Sequence, residues 1–183
     1  MGVEIEAKLQ VESLTEVEGR LKGGRAEFVA EQHQRDTYYD DPLRALEGGD
    51  RCLRIRHQRV GDREEVLLTH KGPKLPDAFK RREETEVSIG DGQAMDQLLT
   101  ALGFRRALVV SKTRRLWRMG PCLVALDDVA GLGTFVEVEG PGDQAICAVQ
   151  KALGLESAQH VPTGYASLIA SKKAERRTKN SEW

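Results

Sequence analysis

The sequence of 183 residues predicts a single, mainly β domain whose strands can close into a barrel, and three observations carry that prediction. Apolar and polar residues alternate with period two in about eight segments, the signature of strands with two unlike faces. Helical patterns occur between these segments rather than in place of them, and two of them stop at a glycine. On most of the strands, charges of one sign sit two residues apart, so one face is charged while the other is apolar.

Taken in order, the first segment (3–11) places Val3, Ile5, Ala7 and Leu9 on one face and Glu4, Glu6 and Lys8 on the other. Leu14, Val17 and Leu21 then recur at helical spacing ahead of Gly23-Gly24. Strands are predicted over 33–40 and 51–59, where Arg54 and Arg56 share a face, and over 64–71. The segment 80–89 aligns Arg82, Glu84 and Glu86. Met95, Leu98, Leu99 and Leu102 mark a second helix before Gly103. Strands at 107–118, 121–127 and 133–139 follow, carrying Lys112 with Arg114, then Asp127, then Glu137 with Glu139. Helices near 143–153 and 163–173 complete the domain, read as residues 1–172. The polar tail 173–183 is expected to fray, with Lys172, Lys173, Arg176, Arg177 and Lys179 as a solvated helix end.

Composition excludes several function classes. Lys and Arg number 28 against 29 Asp and Glu, a net charge of -1, so nothing draws the whole molecule to nucleic acid or an acidic membrane. Any anion site must be local. The charged fraction of 31% is high, so part of that charge must be organised. With no long apolar span and no leader-like start, the expectation is a soluble cytoplasmic protein. The three cysteines, Cys52, Cys122 and Cys147, lack the close pairing of zinc motifs and form no disulfide framework. His33, His57, His70 and His160 show no metal-ligand spacing; His33 has the best case for a catalytic role among them. Gly131-x-Gly133 reads as a turn, and Trp117 and Phe135 as packing residues.

Like charges about 7 Å apart cost roughly 2 kcal/mol per pair at an effective dielectric near 20. Open water relieves that cost; an enclosed site needs counter-charges. Closing about eight strands removes exposed edges. If the apolar faces then point outward under the helices, the interior becomes a charged tunnel. Its inward candidates are Glu4, Glu6, Glu84, Glu86, Asp127, Glu137 and Glu139 against Lys8, Arg54, Arg56, Lys71, Arg82, Lys112 and Arg114. Gathered carboxylates suit a hard divalent cation such as Mg²⁺ or Mn²⁺, and Arg and Lys groups suit phosphate oxygens. A metal-bound polyphosphate requires both.

These residues resemble the CYTH family, the triphosphate tunnel metalloenzymes. Glu4-x-Glu6-x-Lys8 is similar to its ExExK signature, and the match continues through Tyr38-Tyr39-Asp40, Leu53-Arg54-Ile55-Arg56, Thr69-His70-Lys71-Gly72-Pro73, Arg82-Glu83-Glu84, Lys112-Thr113-Arg114, Leu126-Asp127 and Phe135 to Glu139. Lys71 to Leu75 with Arg82-Glu83-Glu84 looks most like the CyaB branch, assigned to class IV adenylyl cyclases. The resemblance implies an eight-stranded antiparallel tunnel flanked by helices. It also implies metal ligands at Glu4, Glu6, Glu137 and Glu139, with Asp127 and Glu84 or Glu86 assisting. Lys8, Arg54, Arg56, Lys71, Lys112 and Arg114 would grip the triphosphate, with Arg82 a further candidate. The implied activity is conversion of ATP to cAMP and pyrophosphate. Hydrolysis of inorganic, nucleoside or thiamine triphosphate is the alternative, and a non-catalytic polyphosphate or nucleotide sensor a third reading. The His-Phe pair that precedes ExExK in some bacterial cyclases is absent, and a homodimer through an outer barrel face is compatible with this architecture.

Overall fold

The computed structural model describes residues 2–75 and 79–180; the side chains of Val3 and Lys179, and 181–183 of the expected tail, lie outside the described residues. The strands are β1 (Gly2–Gln10), β2 (Glu27–Asp40), β3 (Cys52–Val60), β4 (Arg63–Lys71), β5 (Lys80–Ser88), β6 (Arg105–Met119), β7 (Cys122–Val129), β8 (Gly133–Glu139) and the two-residue β9 (Gln159–His160). The helices are α1 (Leu14–Gly23), α2 (Ala45–Gly48), α3 (Gly92–Ala101), α4 (Asp143–Ala152) and α5 (Tyr165–Asn180).

Neighbouring strands run in the order β5-β4-β3-β2-β6-β7-β8-β1, and β1 also pairs with β5, so the eight strands close on themselves, antiparallel throughout. Closure depends on a division of β1. Residues Gly2 to Glu6 pair with β5 and Glu6 to Gln10 with β8; beyond Glu6 the strand leaves β5, and β9 pairs with it at Leu9 and Gln10.

Most of the core lies outside the barrel wall; a smaller cluster of Val110, Val129 and Phe135 with Tyr165 shares the inward parity of Asp36, Lys112 and Asp127. Ala7 and Leu9, Val124 and Leu126, and Val136 and Val138 face Leu14, Val17 and Leu21 of α1 and Ile146, Val149 and Leu153 of α4. A second apolar layer sets Leu99 and Met95 of α3 against Tyr39 and Ile55. Local signals stop and start these helices: Ser13 accepts from the Glu16 amide, and Asp91 from the amides of Gln93 and Ala94. Gly103 turns the chain after α3 at φ +95°. Helices α1, α3 and α4 thus cover the apolar faces of β1, β3, β7 and β8, while Phe28 of β2 and Val87 of β5 stay half exposed, and the charged faces are left to the inside. Ile146 is fully buried against β1, β7 and β8. Ile146→Ala is expected to lower unfolding free energy by about 2–5 kcal/mol in urea titration; a loss under about 1 kcal/mol would show that α4 is not part of the core.

Several expected boundaries change. The strand expected at 33–40 begins at Glu27, its first half hidden by the apolar run Phe28-Val29-Ala30, which breaks alternation where the pairing with β6 shifts register. The α2 turn and β9 are too short for periodicity to show. The tail expected after Lys172 is helical as far as Asn180, since α5 continues there and Lys, Ala, Glu and Arg are good helix formers even where nothing apolar requires a helix. Among the described residues, no helix is long and apolar enough to cross a membrane.

Candidate active site

The strand faces that the core does not use meet around a cavity of about 1410 Å³. Every predicted inward residue lines it except Asp127, which sits behind Arg114 with no exposure. None of the four histidines does; His33 is half exposed and bonded to Thr113.

One wall is acidic. Glu6 on β1 stands directly opposite Glu139 on β8, and Glu4 follows two residues along on the same face of β1. The Glu139 carboxyl is pushed up by burial and by the charges of Glu4 and Glu6. Its neighbours are held by ammonium groups: Lys71 lies 2.5 Å from Glu4 and 2.8 Å from Glu84, and Lys80 bonds to Glu6. Burial pushes Glu84 up, but Lys71 outweighs it and leaves the carboxyl below its ordinary value. Among the described residues, no three His, Cys, Asp or Glu side chains stand together closely enough to hold a metal as they are. The donor chemistry nevertheless fits a hard divalent cation, since oxygen donors from two adjacent strands repel one another at Glu139, and a cation would remove that repulsion.

Beside and across from it the lining is cationic, with carboxylates behind it. Arg114 donates to both oxygens of Asp127, at 2.7 and 2.6 Å, and also bonds to Glu137. Lys8 lies 3.2 Å from Glu137, and Lys112 3.4 Å from Asp127. Burial and the adjacent Arg114 push the Lys112 ammonium down to about 7. Burial raises Asp127 and Glu137, yet the attraction of Arg114 outweighs it and holds both below the usual carboxylate range. These two predicted metal donors therefore engage Arg114 here, whereas Glu4 and Glu6 engage Lys71 and Lys80 and stand with Glu139 in the acidic wall.

Sequence reasoning missed four polar contributors. Asp36, 2% exposed, accepts from Arg56 at 2.7 and 2.8 Å and from Arg54 at 3.3 Å. Its place at the inward parity of β2, opposite Arg56 in register, was readable. Lys80 shares the parity of Arg82 and could have been read with it. Asp50, in the loop before β3, bonds to Arg82 at 2.5 Å. Tyr165 had no signal, because it comes from α5, beyond the strands. Its hydroxyl donates to Asp127 at 2.9 Å, and its ring lies 4.1 Å from the Lys8 ammonium and 4.9 Å from that of Lys112, so it orders both lysines through cation–π contacts.

A family model described as the CYTH domain matches residues 2–165. The chain belongs to the CYTH family. A CYTH relative from Methanocaldococcus jannaschii, named as a proposed adenylate cyclase, is 33% identical over 137 residues, 75% of this chain and 76% of its own. Adenylate cyclase CyaB of Aeromonas hydrophila is 27% identical over 175 residues, 90% of this chain and 87% of its own. Among solved structures, the PH1819 protein of Pyrococcus horikoshii superposes with a TM-score of 0.82 at 32% identity, covering 92% of this chain and 99% of that one. A Hippeastrum protein, HpAC1, described as a proposed adenylyl cyclase with a dominant triphosphatase activity, gives 0.71 at 18% identity over 94% and 96%. The fold of these structures agrees with the closed barrel, and the two curated relatives are both named for adenylate cyclase activity.

Proposed function

We propose that this CYTH protein is a divalent-metal-dependent enzyme acting on a triphosphate inside the barrel, with conversion of ATP to cAMP and pyrophosphate as the leading reaction. The observation that carries the reading is one cavity lined both by an acidic cluster at Glu4, Glu6 and Glu139 and by cations at Arg54, Arg56, Lys8, Lys112 and Arg114.

Mg²⁺ or Mn²⁺ held by Glu4, Glu6 and Glu139, with Glu137 and Glu84 or Glu86 as further donors, would neutralise phosphate charge and sharpen the electrophilic phosphorus; Asp127, expected among the donors, is instead held behind Arg114. The chain's own residues do the positioning. Arg54 and Arg56 present fixed guanidinium forks because Asp36 holds them from behind, and Arg114 is held by Asp127 in the same way. Lys71, Arg82, Lys8 and Lys112 add point charges for the remaining phosphate oxygens. Phosphoryl transfer through such a site needs alignment and charge stabilisation rather than a side-chain nucleophile. In the cyclase reaction the ribose 3′-hydroxyl attacks the α-phosphorus and pyrophosphate leaves.

The same walls serve water attacking a terminal phosphorus. The Hippeastrum fold relative, described by its triphosphatase activity, favours that as the second reading. Incubation with ATP and Mg²⁺ or Mn²⁺, resolving cAMP plus pyrophosphate from ADP plus phosphate, with inorganic triphosphate in parallel, distinguishes them. Cyclic AMP is the expected product; ADP, or turnover of inorganic triphosphate alone, assigns the triphosphatase. No turnover of any of these compounds leaves only a sensor and overturns both enzyme readings.

A further inference from the structure

Away from the acidic and cationic walls, the interior changes character. Along β2 the inward residues run Asp36, Gln34, Gln32, and along β3 Arg56 is followed by Gln58. Charge gives way to carboxamides within one step on each strand. These glutamines line a second cavity of about 380 Å³, which shares Arg56, Glu86, Arg114 and Glu139 with the large one and so continues it.

The amides are already ordered. Gln34 is 3% exposed, and its Nε2 donates to Gln32 Oε1 at 2.8 Å and to Gln58 Oε1 at 2.6 Å. Both of its amide hydrogens are therefore engaged. Its Oε1 is buried and has no hydrogen-bond partner among the described residues. A buried acceptor of this kind in native protein calls for a donor. Leu67, Leu116 and Leu123 supply apolar wall around the amides, and Ser88 a hydroxyl.

Ligand chemistry follows from what this end rejects. Another phosphate would meet the carboxylates of Glu65, Glu86 and Glu139 on the wall of this cavity, while its two guanidiniums, Arg56 and Arg114, are already bonded to Asp36 and Asp127. A plain hydrocarbon would leave the Gln34 oxygen unpaired. An uncharged, flat heterocycle with an N–H donor satisfies the oxygen, lies against the leucines and is not repelled. We propose that this glutamine-lined cavity is the subsite for the organic end of the substrate, and that it takes a nucleobase bearing an exocyclic amine. The proposal rests on the triphosphate reading of the tunnel and narrows it, since inorganic triphosphate has nothing to place here.

Calorimetric titration of ATP and of inorganic triphosphate, both with saturating Mg²⁺, tests it on the wild type and on Gln34→Met and Gln58→Met, which keep volume while removing the amide. ATP affinity is expected to fall at least tenfold more than inorganic triphosphate affinity in each variant, because a site built to pair a polar group discriminates strongly against its loss. Equal losses for the two ligands, or no loss for ATP in either variant, overturn the subsite. So does a wild type that binds inorganic triphosphate but not ATP, while the triphosphate reading of the tunnel stands. A wild type that binds neither removes that reading as well. If Gln34→Met loses the fold, seen as loss of the thermal transition, Gln58→Met carries the comparison.

Discussion

Glu139→Gln is expected to reduce metal-dependent turnover by about 100-fold or more while leaving the metal-free protein at least as stable as the wild type. The two effects have opposite signs for one reason. Burial and the charges of Glu4 and Glu6 hold the Glu139 carboxyl above its ordinary value, so its ionised form is disfavoured in the empty cavity. Replacing it with an amide relieves that repulsion and removes an oxygen donor in the same step. Glu4→Gln and Glu6→Gln should lose activity to a similar extent, but each also deprives an ammonium of its partner, Lys71 or Lys80, so no gain in stability is expected. Turnover against Mn²⁺ concentration and thermal unfolding in EDTA measure both quantities. Unchanged metal dependence in all three variants would remove this wall from the metal site, and a large drop in the unfolding temperature of Glu139→Gln would show that its carboxylate is structural.

Asp36→Ala should destabilise the protein by about 3–5 kcal/mol, the cost of leaving buried charge without its partner. For a domain of this size that corresponds to a fall in unfolding temperature on the order of 10 °C. Burial raises the Asp36 carboxyl, but Arg54 and Arg56 outweigh it and draw its folded-state value well below the ordinary one. A carboxylate lowered in this way contributes its full stabilisation above its unfolded value near 4 and loses it as pH falls below that. The wild type should therefore lose stability between about pH 4 and pH 2, and the variant should show a flatter acid limb. Urea unfolding across this range checks both points. A loss under about 1 kcal/mol at neutral pH, or an acid limb of unchanged slope, would mean that Asp36 does not anchor the two guanidinium groups.

The barrel was legible from residue order because strand alternation is a local property. In β1 the apolar set Ile5, Ala7 and Leu9 and the charged set Glu4, Glu6 and Lys8 separate cleanly, and the same separation in β3, β6 and β8 made the inward residues readable. Asp36 and Lys80 obey the same parity; Asp36 was missed because it stands in no like-charged pair on its strand, whereas Lys80 lies two residues before Arg82 and was readable with it. Tyr165 and the α5 extension follow no such rule. Tyr165 acquires its role only when α5 brings it to Asp127, 38 residues earlier in the chain, and to Lys8.

By itself, the sequence determined which side chains share a face, since successive Cβ atoms point to opposite sides of a strand, and it determined that carboxylates and cations are carried together in the domain. Which carboxylates gather with one another and which lie behind a guanidinium was decided only by the tertiary structure. Glu6 meets Glu139 across the β1–β8 ladder, while Arg114 reaches Asp127 and Glu137 across β6, β7 and β8. The physical reason is that charge–charge energies depend on distances in space, and barrel closure, not position in the chain, sets those distances.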